Sequence, residues 1–236
     1  MELKRLDWDC RFFEAEVFGI HLHPADPAID VEATIASLRE EGAALAYFFL
    51  EKRDAALQEQ LEKNGAVLYD EKITYGKELG SEGSVPPGEV RAYGGGLSDE
   101  LLKLVLLAGH DSRFRKDPRL SAYFERLYTL WIENSLNGSI ADRVFVYGGD
   151  KIKGMATCKI REDRTGSIGL IATGTAYQGQ GIGRALLQAT DHYYRANAVK
   201  TSTVVTQKTN EQACLFYEKE GFTEYKTEYV YHLWFN

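Results

Sequence analysis

Cysteine is scarce, with three in 236 residues. Cys10, Cys158 and Cys214 are odd in number and widely spaced, and no pair is set out like a zinc knuckle or a redox motif. A disulfide framework is excluded, and the three read as reduced, buried fillers of a cytoplasmic protein. Long apolar runs are also missing. The longest, Ala43 to Leu50, is far below the roughly 20 residues needed to cross a bilayer. The first twenty residues carry Glu2, Lys4, Arg5, Asp7, Asp9 and Arg11, so neither a secretory leader nor a membrane span is expected. Positive charge is in the minority: Lys plus Arg total 28 against 35 for Asp plus Glu, a net charge of -7. That balance argues against nucleic acid or anionic lipid as partner. What is present, 44% hydrophobic and 27% charged residues, describes a soluble globular chain of one large or two small domains.

Residues 76–96 are rich in Gly, Ser and Pro, with Pro86-Pro87-Gly88 and Gly94-Gly95-Gly96, and they mark a connection between two halves. The expected division is a domain over 1–80, a linker over 81–96 and a second domain over 97–236. In the first half, Phe12 to Leu22 reads as strand, Val31 to Glu41 as helix, Ala43 to Leu50 as buried strand, Asp54 to Asn64 as helix and Val67 to Tyr75 as strand. In the second, Ser98 caps a helix through Ala108, and Asp117-Pro118 opens another that Asn137-Gly138 stops. Three antiparallel strands follow, Val144 to Tyr147, Ile152 to Ile160 and Ser167 to Thr173, joined by turns at Gly148-Gly149-Asp150 and at Asp163 to Gly166. A Gly-rich turn, an amphipathic helix, the strand Thr203 to Thr206, a helix from Asn210 and a last strand Tyr229 to Phe235 complete it. The order α-α-β-β-β-α-β-α-β predicts an α/β (α+β) fold on a mixed, mostly antiparallel sheet flanked by helices.

Residues 42–75 align without gaps on residues 198–231, an offset of 156. Lys52 then meets Lys208, Glu62 meets Glu218, Lys63 meets Lys219, Gly65 meets Gly221, Tyr69 meets Tyr225 and Tyr75 meets Tyr231, with Asp54 opposite Asn210 at the helix starts. The in-step strand, cap, helix and terminating glycine suggest a degenerate duplication, although any strand-helix-Gly-strand unit shows similar punctuation. Leu61 stands where the second copy has Tyr217, and no glycine loop precedes the first copy, so the first half is expected to be structural.

The segment Gln178-Gly179-Gln180-Gly181-Ile182-Gly183 lies between a strand and the amphipathic helix. Glycines let the main chain approach a diphosphate, and helix N-terminal amides carry partial positive charge toward it. A Rossmann reading is weaker, because antiparallel hairpins precede the loop, and no Gly-Lys-Ser/Thr follows to make a P-loop. Gln-x-x-Gly-x-Gly opening a helix after an α-α-β-β-β run, together with Asn210 to Phe222 as Asn-x-x-Ala-x-x-x-Tyr-x-x-x-Gly-Phe, resembles the GNAT superfamily of acyl-CoA-dependent N-acyltransferases. The chain is most similar to the TDP-fucosamine acetyltransferases through Leu6-Asp7-Trp8-Asp9, Phe12-Phe13, Ser112-Arg113-Phe114-Arg115, Trp131-Ile132-Glu133-Asn134 and Val205-Thr206-Gln207. It departs from them at Phe216, where a basic residue is expected.

The resemblance implies a GNAT fold preceded by a truncated GNAT-like half, and acetyl-CoA as co-substrate. Leu170, Ile171 and Ala172 would lie along the pantetheine with a main-chain N–H near the thioester oxygen. Gln178, Gly179, Gln180, Gly181, Ile182 and Gly183 would hold the pyrophosphate, Asn210 would face the pantetheine arm, and Tyr217 would sit beside the sulfur as the catalytic residue. Arg113 and Arg115 around Phe114 suit the diphosphate and ring of an acceptor, by paired guanidinium contacts and stacking, with solvated arginines as the plain alternative. His110 could relay the amine proton or be an ordinary loop histidine. His21 and His23 alternate as strand neighbours, but no third ligand is apparent and no metal is assigned. The expected activity is acetyl transfer to the amine of a nucleotide-activated 4-amino-4,6-dideoxyhexose, with a homodimer left open. The alternatives are a GNAT enzyme for another small amine or a protein amine, and an acyl-CoA-binding module without turnover.

Overall fold

The computed structural model describes residues 2–23, 29–80 and 88–235. Among them the chain forms two compact units. The first comprises Met1–Ile73, Gln207–Thr209 and Lys226–Asn236, and the second Thr74–Thr206 and Asn210–Tyr225. The division therefore does not follow a cut at residues 81–96. Residues 81–87, with Pro86 and Pro87, lie outside the described residues, and the rest of that expected linker holds a strand.

The first unit is built from β1 (Glu2–Arg5), α1 (Asp7–Phe13), β2 (Val17–Leu22), α2 (Val31–Glu40), β3 (Leu45–Leu50), α3 (Ala55–Lys63) and most of β4 (Val67–Glu78). Its strand order is β1-β2-β3-β10-β4, with β10 (Thr223–Trp234) entering from the end of the chain. β1 runs antiparallel to β2, β2 parallel to β3, and β3 antiparallel to β10. The expected strand from Phe12 starts only at Val17, because Asp7 to Phe13 close a short helix that Glu14 ends in the left-handed conformation, φ 55°. α2 starts where the Asp30 carboxylate accepts the Ala33 N–H, and it buries Val31, Ile35 and Leu38. Each of those side chains contributes about 1.5–3 kcal/mol on leaving water. They meet Phe18, Ile20, Phe48, Leu61 and Tyr231 in one core.

The second unit has the order β4-β9-β8-β7-β6-β5. After β5 (Val90–Ala92) come α4 (Asp99–Ala108), the single turn α5 (Arg113–Lys116), α6 (Phe124–Leu136), β6 (Arg143–Tyr147), β7 (Gly154–Ile160), β8 (Gly166–Thr173), α7 (Ile182–Ala196), β9 (Thr201–Gln207) and α8 (Glu211–Lys219). Ser98 caps α4 through the Leu101 N–H, as its sequence predicts. The helix expected from Asp117-Pro118 begins later, after a 3-10 turn at Ser121–Tyr123. β5, β6, β7 and β8 pair antiparallel and β8 pairs parallel with β9, giving the mixed, mostly antiparallel sheet. No helix among the described residues is long and apolar enough to cross a membrane.

Candidate functional site

Two features of β8 prepare a site. Its register against β7 steps from Ala156↔Ile171 to Cys158↔Ile168, two residues against three, so Gly169 and Leu170 share a bulge opposite Thr157. Its parallel pairing with β9 runs from Gly166↔Ser202 to Ile168↔Val204 and stops there. At the bulge the Leu170 N–H donates to Thr157 Oγ1 at 2.9 Å, and beyond it the Gly174 N–H donates to Lys153 O at 2.8 Å, both toward β7. Main-chain groups alternate in direction along a strand, so Ile171 and Thr173 turn theirs to the opposite edge. Of the three residues expected to offer a free N–H, Leu170 is thus already engaged. Leu170 and Ala172 have buried side chains, and Ile171 packs against the core of Ala156, Ile182 and Leu186.

The strand leads through a 3-10 turn into the glycine loop. Gly179 and Gly181 have φ of 75° and 80°, and a Cβ at either would meet nothing within 4 Å. The loop is therefore open on its outer side while its backbone is held in a conformation that disfavours side chains. Gly181 is the N-cap of α7, and no side chain caps that helix. The first amides of α7, from Ile182 and Gly183 onward, lack intrahelical acceptors and point into this opening. The Gln180 side chain donates to Ala176 O at 3.4 Å within the loop. The start of α7 is set by Gly154 on β7, where a Cβ would come within 2.7 Å of Ile182.

α8 supplies the remaining residues. Asn210 caps it by accepting the Ala213 N–H at 3.1 Å, so capping is its observed role. Phe216 covers Gly183, where a Cβ would lie 3.1 Å from its ring, and Arg184 reaches Glu220 at 2.8 Å. These contacts hold α8 against the first turn of α7. Tyr217 is 4% exposed among the rings of Tyr75, Phe216 and Phe222, at centroid distances of 5.8, 5.4 and 5.8 Å. Burial, reinforced by Cys214, pushes its phenol well above the ordinary value. It remains protonated across any working pH.

The guanidinium of Arg113 lies over the Phe114 ring at 4.3 Å and that of Arg115 over Phe124 at 5.2 Å, a cation–aromatic group at α5 and the start of α6. His110 is exposed, with Nδ1 3.7 Å from Asp111. His21 stacks on Phe49 and His23 reaches Glu51, and no cluster of metal ligands occurs among the described residues. Thr157 and Gly154 had no role in the sequence reading. Thr157 is the polar residue within Met155-Ala156-Thr157-Cys158, and it is 1% exposed.

Residues 108–222 match the model of the Acetyltransferase (GNAT) family. The fold is that of the GNAT superfamily. A GCN5-related N-acetyltransferase from Sphaerobacter thermophilus superposes with a TM-score of 0.62 at 14% identity, over 98% of this chain and 76% of that one. A tandem GNAT protein from the clavulanic acid biosynthesis pathway superposes with 0.54 at 11% identity, over 92% and 75%. In sequence, the spore coat polysaccharide biosynthesis protein SpsD of Bacillus subtilis (strain 168) is 29% identical over 124 residues, 52% of this chain and 43% of that protein. The chain thus spans less than half the length of that curated relative. The GNAT match takes in α5, α6, the bulged β8, the glycine loop and α8, and apart from Gln207–Thr209 it lies within the second unit.

Proposed function

We propose that the protein transfers an acetyl group from acetyl-CoA to the amine of a nucleotide-activated amino sugar of the 4-amino-4,6-dideoxyhexose type, by direct attack on the thioester. The observation that carries the reading is the open cradle at Gly179 and Gly181, ahead of an uncapped fifteen-residue helix and continuous with the unpaired edge of β8. It fits a diphosphate followed by an amide-bearing arm. Acetyl-CoA supplies the activated acyl group. Residues 178–183 bind its pyrophosphate through main-chain amides, and Ile171 and Thr173 offer the edge groups to the arm. The Ile171 N–H takes the part of oxyanion donor, with Leu170 pinned by Thr157 to hold the bulge.

Tyr217 is the catalytic residue of this reading, as a hydrogen-bond donor to the departing sulfur. A phenol near 10 is already about 2 kcal/mol too weak an acid to protonate a thiolate outright, and burial widens that gap. Its contribution is stabilisation of developing negative charge, and the net proton comes from the ammonium product or water. The sugar acceptor draws support from the Ser112-Arg113-Phe114-Arg115 resemblance and from SpsD, named for polysaccharide biosynthesis.

Thiol release from acetyl-CoA, measured with a panel of nucleotide-linked amino sugars, free amino sugars, polyamines and N-terminal peptides, tests this. Turnover is expected with a nucleotide amino sugar. Turnover confined to peptides or simple amines would replace the acceptor, and binding of acetyl-CoA without any turnover would leave a binding module.

A further inference from the structure

On the α6 side of β7 and β8 lies a cavity of 200 Å³, room for about six waters. Residues two apart on a strand share a face, so Thr157, Lys159 and Arg161 of β7 and its hairpin line one wall. Ser167, the register partner of Lys159, and Gly169 of the bulge line the next, and Trp131 of α6 faces them. The opposite face of the same strands, with Ala156 and Ile171, is packed against α7. A sheet that is apolar on one side therefore carries a polar, cationic stripe on the other.

The stripe is organised before any ligand arrives. Arg161 Nη2 donates to Ser167 Oγ at 3.0 Å, and Lys159 Nζ reaches Ser139 O at 3.4 Å. Neither bond neutralises a cation. None of the cavity's described lining residues is acidic: of the nearby carboxylates, Asp142 accepts the Ile160 N–H at 2.6 Å, and Asp163 accepts the Thr165 N–H at 2.9 Å while also interacting electrostatically with Arg161. Cys158, also at the wall, has its thiol pushed up to about 12 by burial and is no nucleophile there. At Gly169 the wall has no side chain. A Cβ would stand 2.9 Å from Thr157 Oγ1 and 3.8 Å from the Trp131 indole nitrogen, in space the cavity uses.

We infer that this cavity is the acceptor subsite, where Lys159 and Arg161 bind an anionic group of the acceptor and Trp131 packs on its ring. The inference rests on the acetyl-transfer reading for its reaction centre at Ile171, but the anion site stands on its own geometry. It also sets a distance. Ser167 is four residues before Ile171, roughly 10–13 Å along β8 at strand rise, allowing for the bulge. An acceptor whose acidic group lies beside its amine, such as an α-amino acid, is too short to satisfy both ends. A sugar carrying its amine on the far side of the ring from a diphosphate has the required span. Two close cations suit a phosphate or diphosphate, and the fork of Arg161 suits it bidentately. The pair falls outside the Ser112-to-Arg115 segment that the sequence resemblance singled out.

Inorganic pyrophosphate, titrated in the presence of saturating CoA so that the glycine loop is occupied, is the direct probe. Saturable tryptophan quenching is expected, absent in Trp131→Phe, with the dissociation constant raised at least tenfold in Lys159→Gln/Arg161→Gln at an unchanged melting temperature. If the double variant does not fold, the exposed Arg161→Gln alone is read in the same way. No saturable quenching in the wild type, or the same constant in a folded variant, overturns the site. In turnover, the double variant should raise the KM of a diphosphate-linked amino sugar tenfold and leave that of the free amino sugar and of acetyl-CoA unchanged. Pyrophosphate binding that depends on the two cations, in a protein that acetylates no nucleotide sugar, supports the anion site and refutes the sugar.

Discussion

The helices α3 and α8 are the same device in two settings. Asp54 caps one through the Leu57 N–H and Asn210 caps the other through the Ala213 N–H, at 3.0 and 3.1 Å. Past each helix a glycine takes positive φ, 87° at Gly65 and 85° at Gly221. Glu62 accepts a hydrogen bond from Tyr231 in the first unit at 3.4 Å, and Glu218 accepts one from Tyr75 in the second at 2.9 Å. Both pairs are related by the offset of 156, and the helix and tyrosine of each come from different copies. β4 passes from the first unit to the second after Ile73, and β10 from the second to the first after Tyr225. A duplication whose copies trade the ends of their last strands accounts for all of this. The difference between the settings is chemical. Leu61 is a fully buried, hydroxyl-free member of a mixed aliphatic and aromatic core, whereas Tyr217 brings a phenol to the equivalent place in the unit that also holds the open glycine loop. On the proposed function, one scaffold serves as a packing unit or a site according to what precedes and lines its helix.

The loop should give the largest effect, since the first copy has nothing equivalent. Gly181→Glu places a Cβ at φ 80° and a negative charge where a pyrophosphate would approach. Acetyl-CoA affinity should fall on the order of a hundredfold or more, two factors of about 1.4 kcal/mol. Calorimetric titration of a variant with wild-type melting temperature measures it, and intact affinity would move the pyrophosphate elsewhere.

The paired helix positions should respond in opposite currencies. Leu61→Ala, at a fully buried site, should cost about 2–5 kcal/mol of stability and leave kcat per folded molecule unchanged. Tyr217→Phe should lower kcat about 10²-fold and barely change acetyl-CoA affinity. Denaturant melts and steady-state kinetics on both variants separate the two. A wild-type kcat in Tyr217→Phe with chemistry rate-limiting would make α8 as structural as α3.

Stability against pH offers a weaker contrast. Burial raises the phenols of Tyr194 and Tyr217 in the second unit, so the folded chain holds these protons more tightly than the unfolded chain. Their stabilising contribution is complete below about pH 10, the unfolded value, and is lost as pH rises through the folded values. Melting temperature should hold between pH 8 and 9 and fall above about pH 10, less steeply in Tyr217→Phe. A flat profile to pH 11 would contradict the burial of these hydroxyls.

What the sequence made legible was whatever depends on neighbours along the chain. Ser98, Asp54 and Asn210 cap the helices they were expected to cap, because a capping carboxylate, amide or hydroxyl reaches only three residues. The glycine loop was legible for the same reason. The end of α1 was misread as strand because Phe12 and Phe13 are as apolar as a strand interior, and its stop is a left-handed Glu14 that no glycine announces. β5 was hidden in the expected linker because its only signal is pairing of Val90 to Ala92 with β6, more than fifty residues on. The cavity was hidden twice over. It depends on a bulge that sets Gly169 against Thr157, and on α6 bringing Trp131 across from another part of the chain.

The smallest expected effect tests the duplication and the site together. Tyr75→Phe removes the hydrogen bond to Glu218 and Tyr231→Phe the weaker one to Glu62, together with the acceptor of the Gln58 amide at 2.8 Å. Each hydroxyl contributes about 1 kcal/mol, so both variants should fold with slightly lowered stability, Tyr231→Phe by a few tenths more for the second partner. Their kinetics should differ. Tyr75 packs on Tyr217 with centroids 5.8 Å apart and fixes Glu218 on the same helix, so its loss should let the Tyr217 ring shift and lower kcat two- to fivefold, roughly 0.4–1 kcal/mol. Tyr231 lies in the first unit, whose helix carries Leu61, and its variant should retain kcat. Equal kcat losses in the two would mean that the copies remain functionally joined, and no loss in either would leave Tyr217 held by Phe216 and Phe222 alone.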